Sequence, residues 1–345
     1  LAPGFINAHC HLELSHLWGQ LPQGTGMAAF AKAIIGTRND WTPDAQAAAA
    51  AQAMDQAWLQ GTVAIIDISN QALTAPLKHA HPLYTHTCVE LLGALPERAD
   101  EVWQQGLAVA KAFADLPHTL VPHAPYSVSL PLQLQLAAHA EAHNALWAMH
   151  FMESPEETAW LQQGTGPMAE LLAPLGAASP LQDPVTLLLQ YLPQASPALL
   201  VHCTECAYPE LAALAPLSNV YFALCPRSNR YIHEQAPYYD LFPWEDGRVC
   251  LGTDSLASNH DLNLWAEVAA VAPQVGLVQA LQAATSNAAE LLQLPLAGNI
   301  GPGTAPGIVH WEKDIFSLKV YELKEVDAPQ LCIAPNFVTR YDNRR

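Results

Sequence analysis

A chain of 345 residues with 32 acidic residues against 14 Lys and Arg carries a formal net charge of −18, which repels phosphate backbones and excludes a general nucleic-acid binder. Hydrophobic residues make up 51% and charged residues 13%; that suffices for a large core, yet no apolar run is long enough to span a bilayer, and no cationic leader precedes an apolar stretch as a secretory signal would. The 7 cysteines are odd in number and scattered, so no disulfide framework is expected and a reduced, cytoplasmic location fits.

Pro3-Gly4 opens onto Phe5 to His11, an unbroken apolar run that reads as a strand. Side chains alternate faces along a strand, so His9 and His11 point the same way, one pleat apart, while Cys10 points into packing. Trp41 to Gln60 reads as a helix that starts at Thr42-Pro43 and is stopped by Gly61. Thr62 to Ser69 and Tyr84 to Leu91 are the second and third predicted strands. A helix over Glu97 to Asp115 leads to a fourth strand at Thr119 to His123, and a helix over Leu130 to His143 leads to a fifth at Leu146 to His150. Pro155 to Pro193 is helical but broken by Gly and Pro. Ala198 to Cys203, Asn219 to Cys225 and Arg248 to Asp254 are the sixth to eighth strands, and helical segments follow at Leu262 to Ala272, Val275 to Ala283 and Asn287 to Leu294. This alternation predicts an α/β fold, a (β/α)8 TIM-type barrel over residues 1–294. From Pro295 onward, glycines punctuate short β-like runs such as Gly307 to Trp311 and Phe316 to Leu323. Residues 295–345 are therefore predicted to form part of a small β domain, with the polar tail Thr339 to Arg345 frayed.

Catalytic groups of such barrels sit at the C-terminal ends of the strands. The first predicted strand carries His9 and His11, the fifth ends at His150, the sixth at His202 and the eighth at Asp254. Imidazoles and a carboxylate at one mouth suit zinc or ferrous iron. Each His taken alone is more readily a packed or surface residue, and among 15 some must be bland. Five such residues, four His and Asp254, at matching strand ends are much harder to assign to chance. Cys203-Thr204-Glu205-Cys206 has redox or zinc-knuckle spacing, but a second such pair is missing from the sequence.

The segments Pro3-Gly4-Phe5-Ile6-Asn7-Ala8-His9-Cys10-His11, His150-Phe151-Met152-Glu153, Val201-His202-Cys203, Cys225-Pro226-Arg227-Ser228-Asn229 and Gly252-Thr253-Asp254-Ser255 together resemble the amidohydrolase superfamily. The resemblance is to its metal-dependent aminohydrolase branch of deaminases and chlorohydrolases, and it covers nearly the whole chain. It implies His9, His11, His150 and Asp254 as metal ligands, Glu153 as the proton-shuttling acid and His202 as the residue that holds the hydrolytic water, with Asp254 taking that water's proton. Binuclear relatives bridge two metals with a modified Lys on the fourth strand. Here that strand ends Val121-Pro122-His123 and the nearest lysines are Lys111 and Lys313, so one divalent ion is expected, zinc ahead of iron. As a shuttle, Glu153 needs a pKa nearer neutrality than a free Glu.

A narrower resemblance, to the aminodeoxyfutalosine deaminases of the alternative menaquinone pathway, rests on His11-Leu12-Glu13-Leu14-Ser15, His150 to Glu157 and Cys225 to Arg230. It implies an adenine ring on a modified ribose as substrate. Such a nucleoside needs an apolar slot and a few polar anchors. The candidates are Glu13, Trp18, His123, Tyr126, Ser127, Arg227 and Asn229, with Glu13 toward ribose hydroxyls and Arg227 toward a carboxylate. The alternatives are deamination or dechlorination of another N-heterocycle (S-adenosylhomocysteine, methylthioadenosine, guanine, cytosine or a triazine) and, outside enzymes, an inactive barrel scaffold. The expected partner is a small heterocyclic substrate, with no nucleic acid and no membrane, and a homodimer is the candidate assembly. Relatives place strands before the first barrel strand, whereas this chain begins directly before Pro3-Gly4. That points to a fragment or a start assigned too late, and to an appendage left with open edges. Ala305-Pro306 stands where many relatives have Ala-Asp.

Overall fold

The computed structural model describes residues 1–335, so the expectation for the tail at 339–345 lies outside the described residues. After β1 (Ala2–Pro3), strands β2 (Phe5–Cys10), β3 (Thr62–Ser69), β4 (Tyr84–Leu91) and β5 (His118–Pro122) pair in parallel in that order. Strands β6 (Trp147–Phe151), β7 (Ala198–His202), β8 (Val220–Leu224) and β9 (Val249–Leu251) form a second parallel set. Two seams close the ring. Between β5 and β6, His150 N donates to His123 O at 2.9 Å. Between β9 and β2, Thr253 N donates to His9 O at 3.1 Å, and Cys10 bridges Asp254 in parallel. This is the predicted (β/α)8 barrel of TIM type, and both seams run through candidate site residues.

The local reasons are visible in the sequence. β3 is buried at every position, as a strand with both faces covered must be, and it reads as a near-continuous apolar run. The helix Pro43–Leu59 starts where Thr42 accepts a hydrogen bond from Ala45 N and where Pro43 has no amide to leave unpaired. It stops at Gly61, whose φ of +90° favours glycine. Gly252 is needed for closure: a Cβ there would lie 2.8 Å from His9 Cβ, so only glycine lets the last strand approach the first beside the histidines.

Several elements differ from the sequence reading. The helix Met27–Thr37 carries little local signal, because its N-cap is Gly26 and no side chain nearby caps it. Its Ala28 N is instead capped at 2.6 Å by Glu156, far away in sequence. The short helices Ala75–Ala80, Tyr208–Leu214 and Pro226–His233 also lie outside the predicted elements. Phe316 to Leu323 is not β: residues Val320–Glu325 form a 3-10 helix, and the strand that pairs with β10 (Ile308–His310) on that side is β11 (Gln330–Ile333). Nor do the C-terminal strands lack a partner. Ala2 and Pro3 pair antiparallel with Val309 and Ile308, which makes β10 the centre of a three-stranded sheet. That sheet docks on the barrel through Trp311, whose ring lies 6.0 Å from Phe5 and 5.1 Å from Trp265. No helix among the described residues is long and apolar enough to cross a membrane.

Candidate metal centre and active site

The end of β2 places His9 and His11 side by side. His11 Nε2 lies 3.2 Å from His9 Nε2 and 3.3 Å from His150 Nε2. Asp254 Oδ1 lies 3.6 Å from His9 Nε2 and 3.5 Å from His11 Nε2. Four donors held about 2.1 Å from a common tetrahedral centre stand about 3.4 Å apart, and the four distances bracket that figure. All four residues are buried. The donor set therefore fits a divalent cation. His202 stands beside it, with its ring 5.6 Å from His9 and 5.5 Å from His150. His202 and Asp254 both take left-handed backbone conformations, with φ of +71° and +56°. Non-glycine residues hold such conformations only where the surroundings enforce them, commonly at functional sites.

A ring of hydrogen bonds orients these groups. His150 Nδ1 is 3.0 Å from His123 O and 3.3 Å from Glu90 Oε1, which turns Nε2 toward the other imidazoles. Ser228 and Ser258 each donate a hydroxyl to Asp254 Oδ2 at 2.6 Å, leaving Oδ1 for the histidines. His202 Nδ1 donates to Asn229 Oδ1 at 2.9 Å. Sequence reasoning missed Glu90, Ser228 as a partner of Asp254, and Ser258. Glu90 lies near the end of a predicted strand, the signal that found Asp254. Ser228 lies in a quoted motif. Nothing local marks Ser258.

Electrostatics divide the carboxyls by role. Burial raises Glu153 well above the usual carboxyl range, the direction a proton-carrying acid needs. Its Oε1 lies 3.5 Å from His202 Nε2. Asp254 is as buried, and burial alone would raise it, but the hydrogen bond from His9 and the charges of His11 and His202 hold it well below the usual range. Burial lowers His9 to about 3. His150 resists the same desolvation because Glu90 beside it raises it to about 9. Glu157, fully buried, accepts from Met152 N at 3.2 Å and Glu153 N at 3.0 Å, and so holds the turn that presents Glu153.

The expected substrate contacts divide into two groups. His123 and Tyr126 are half-buried with rings 5.6 Å apart, Ser127 Oγ is 2.6 Å from His123 Nδ1, and His123 is 4.9 Å from the His150 ring. These three cluster beside His150. The others are engaged elsewhere. Glu13 Oε2 accepts from Asn70 N and Gln71 N at 3.0 and 3.2 Å. Trp18 is 61% exposed and donates its indole N–H to His260 O, lining an outer groove of about 300 Å³ with Gln52, Gln56 and Leu262. Arg227 pairs with Asp261 at 2.5 Å and faces Glu267 at 3.7 Å. Asn229 serves His202.

Comparison with known proteins agrees with this architecture. Residues 1–339 match the amidohydrolase family. An aminodeoxyfutalosine deaminase of a Nitratiruptor species is 28% identical over 280 residues, covering 78% of this chain and 67% of that protein. A 5-methylthioadenosine/S-adenosylhomocysteine deaminase of Teredinibacter turnerae is 28% identical over 338 residues, covering 90% and 71%. Among solved structures, Helicobacter pylori aminofutalosine deaminase in complex with methylthio-coformycin superposes with a TM-score of 0.80 at 22% identity, covering 96% of this chain and 85% of that one. Arthrobacter aurescens atrazine chlorohydrolase complexed with zinc superposes with a TM-score of 0.74 at 19% identity, covering 94% and 80%. The chain belongs to the amidohydrolase family. It is a hydrolase acting on carbon–nitrogen bonds other than peptide bonds.

Proposed function

We propose that this chain is a metal-dependent hydrolytic deaminase of an aminopurine nucleoside, with aminodeoxyfutalosine, and hence menaquinone biosynthesis, as its first candidate. The observation that carries the reading is a four-donor cradle, His9, His11, His150 and Asp254, beside a separate buried carboxyl, Glu153, at one barrel mouth. A divalent ion in the cradle, zinc ahead of iron and one per chain, would lower the pKa of bound water toward about 7.

The chain's own groups do the rest. His202, kept neutral by burial and anchored through Nδ1–H on Asn229, offers Nε2 to orient the attacking water. Asp254 takes that water's proton while Ser228 and Ser258 hold its other oxygen. Glu153, in its protonated form, gives its proton to the ring nitrogen next to the amine-bearing carbon and afterwards assists ammonia to leave. His123, Tyr126 and Ser127 form the wall against which a flat heterocycle lies. The reading includes a barrel domain over 1–294 that carries the chemistry, a small β domain over 295–345, action in the cytoplasm and a homodimer as assembly. The deaminase names of the relatives support it.

An ammonia-release screen over aminodeoxyfutalosine, methylthioadenosine, S-adenosylhomocysteine, adenosine, guanine and cytosine tests it. The expected result is one adenine nucleoside with kcat/KM above about 10⁴ M⁻¹s⁻¹. Chloride release from a chlorotriazine with no ammonia from any member of the panel replaces this reading with the chlorohydrolase one. No turnover and no bound metal points to a scaffold.

A further inference from the structure

β3 is apolar except at its ends and at one buried acid, Asp67. Lys78, on the helix Ala75–Ala80 that follows, is equally buried, both side chains being fully shielded from water. Lys78 Nζ meets Asp67 Oδ2 directly and donates to Thr87 Oγ1 at 2.9 Å and Ser69 Oγ at 3.3 Å. It also sits 4.8 Å from the Phe113 ring centroid. Taking two charges out of water is costly, and a packed apolar pair is often as stable or more so. The pair is therefore weak evidence for a role in stability alone.

The other oxygen of Asp67 points elsewhere. Oδ1 accepts the Leu12 amide at 2.8 Å, and this is the peptide that directly follows His11. At that point the chain leaves β2 and turns into the 3-10 helix Leu12–Leu17, which has no side-chain cap from His11. Asp67 is also the residue opposite Cys10 in the β2–β3 register. The Asp67 carboxylate is thus clamped between a fixed cation behind it and the exit peptide of His11 in front. Ser69 Oγ, which donates to Oδ2 at 2.9 Å, removes the remaining freedom of rotation.

We propose that Asp67 is a positioning residue of the ion site: its Oδ1 sets the backbone that carries His11, with Lys78 packed behind as its buried partner. The inference rests on the reading of His9, His11, His150 and Asp254 as an ion cradle. It gives a buried acid, on a strand that supplies no ligand of its own, a share in metal affinity.

Two double variants separate positioning from stability. Asp67→Leu/Lys78→Met removes both charges and the oxygen facing Leu12. Asp67→Asn/Lys78→Met removes both charges but keeps an oxygen there. The readouts are the zinc dissociation constant by chelator competition, the visible absorption of the cobalt-substituted protein, and the melting temperature. The first variant is expected to bind zinc about 10- to 100-fold more weakly, the range for lost support behind a ligand, with altered cobalt bands. The second is expected to keep parental bands and an affinity within a factor of a few. The proposal is overturned if the two variants bind zinc alike, whether both like the parent or both weakened. It is also overturned if the first fails to fold where the second folds, because the role would then be structural. A parent that binds no zinc defeats the ion-cradle reading instead, independently of the pair.

Discussion

His202 Nδ1 donates to Asn229 Oδ1 at 2.9 Å, so the carboxamide oxygen expected at the substrate is already engaged by an imidazole. With Nδ1 protonated, Nε2 is bare and faces Glu153 Oε1 at 3.5 Å. Removing the carboxamide frees the ring to rotate and to exchange tautomers. Asn229→Ala should therefore lower kcat by about 5- to 150-fold, the scale of one lost hydrogen bond to a buried group, while zinc content and KM change little. A loss confined to KM would return Asn229 to the substrate pocket.

Glu153→Gln keeps the shape and loses the proton. Turnover should fall ~10²–10⁴-fold with metal content unchanged, because Glu153 faces His202 rather than completing the set of four donors. Steady-state kinetics together with elemental analysis of the same sample decides it; parental turnover would remove Glu153 from the proton path.

Dialysis against a chelator should abolish activity, and one equivalent of zinc per chain should restore it. The basis is the cradle of His9, His11, His150 and Asp254, whose contacts of 3.2 to 3.6 Å suit one tetrahedral ion. Restoration that needs two equivalents would call for a second ion; His9, His150 and His202, or Glu90, His123 and His150, are further groups among the described residues whose donor atoms lie within 4.8 Å of one another.

The pH dependence of stability should carry the mark of Glu157. Burial, opposed by hydrogen bonds from Glu153 N and Met152 N, raises its pKa to about 7. A raised acid holds its proton in the folded state over the range where the unfolded chain has released it. Its stabilisation is complete below the unfolded value near 4.5 and is lost as pH rises through about 7. Relative to Glu157→Gln, the parent should therefore lose up to about 1.4 kcal/mol per pH unit between these limits. Urea midpoints of both proteins at pH 5 and pH 8 measure the difference, and a parent that gains on the variant toward pH 8 would refute it.

Arg227 meets Asp261 and the fully buried Glu267. Arg227→Met would remove the cation facing Glu267, which keeps its hydrogen bonds from the residue-227 amide and Asn259, so a loss of up to roughly 3 kcal/mol of stability is expected. Activity should then fall equally on a carboxylate-bearing nucleoside and on plain adenosine. A loss of 10-fold or more on the carboxylate-bearing substrate alone would show that the guanidinium also reaches substrate.

Much of this protein could be read without its structure because some properties are local. Strand pitch alone puts His9 and His11 on one side of Phe5–Cys10, and the unbroken apolar run of Thr62–Ser69 announces a strand covered on both faces. The same logic brought His150, His202 and Asp254 to one mouth, since parallel strands of a closed barrel end together. What the tertiary structure decided was the choice of partner. Trp18 looked like a pocket wall, but its indole is claimed by His260, 242 residues away. Arg227 looked free for a substrate carboxylate until Asp261 and Glu267 came to it. Asp67 and Lys78, Glu90 and Ser258 gained meaning only when packing set them behind His11, His150 and Asp254. Periodicity is fixed by backbone geometry within one element and is written in consecutive residues. Pairing of buried charges and dipoles is driven by desolvation, which acts on whatever groups the fold brings within about 3 Å of each other, and no stretch of sequence records that by itself.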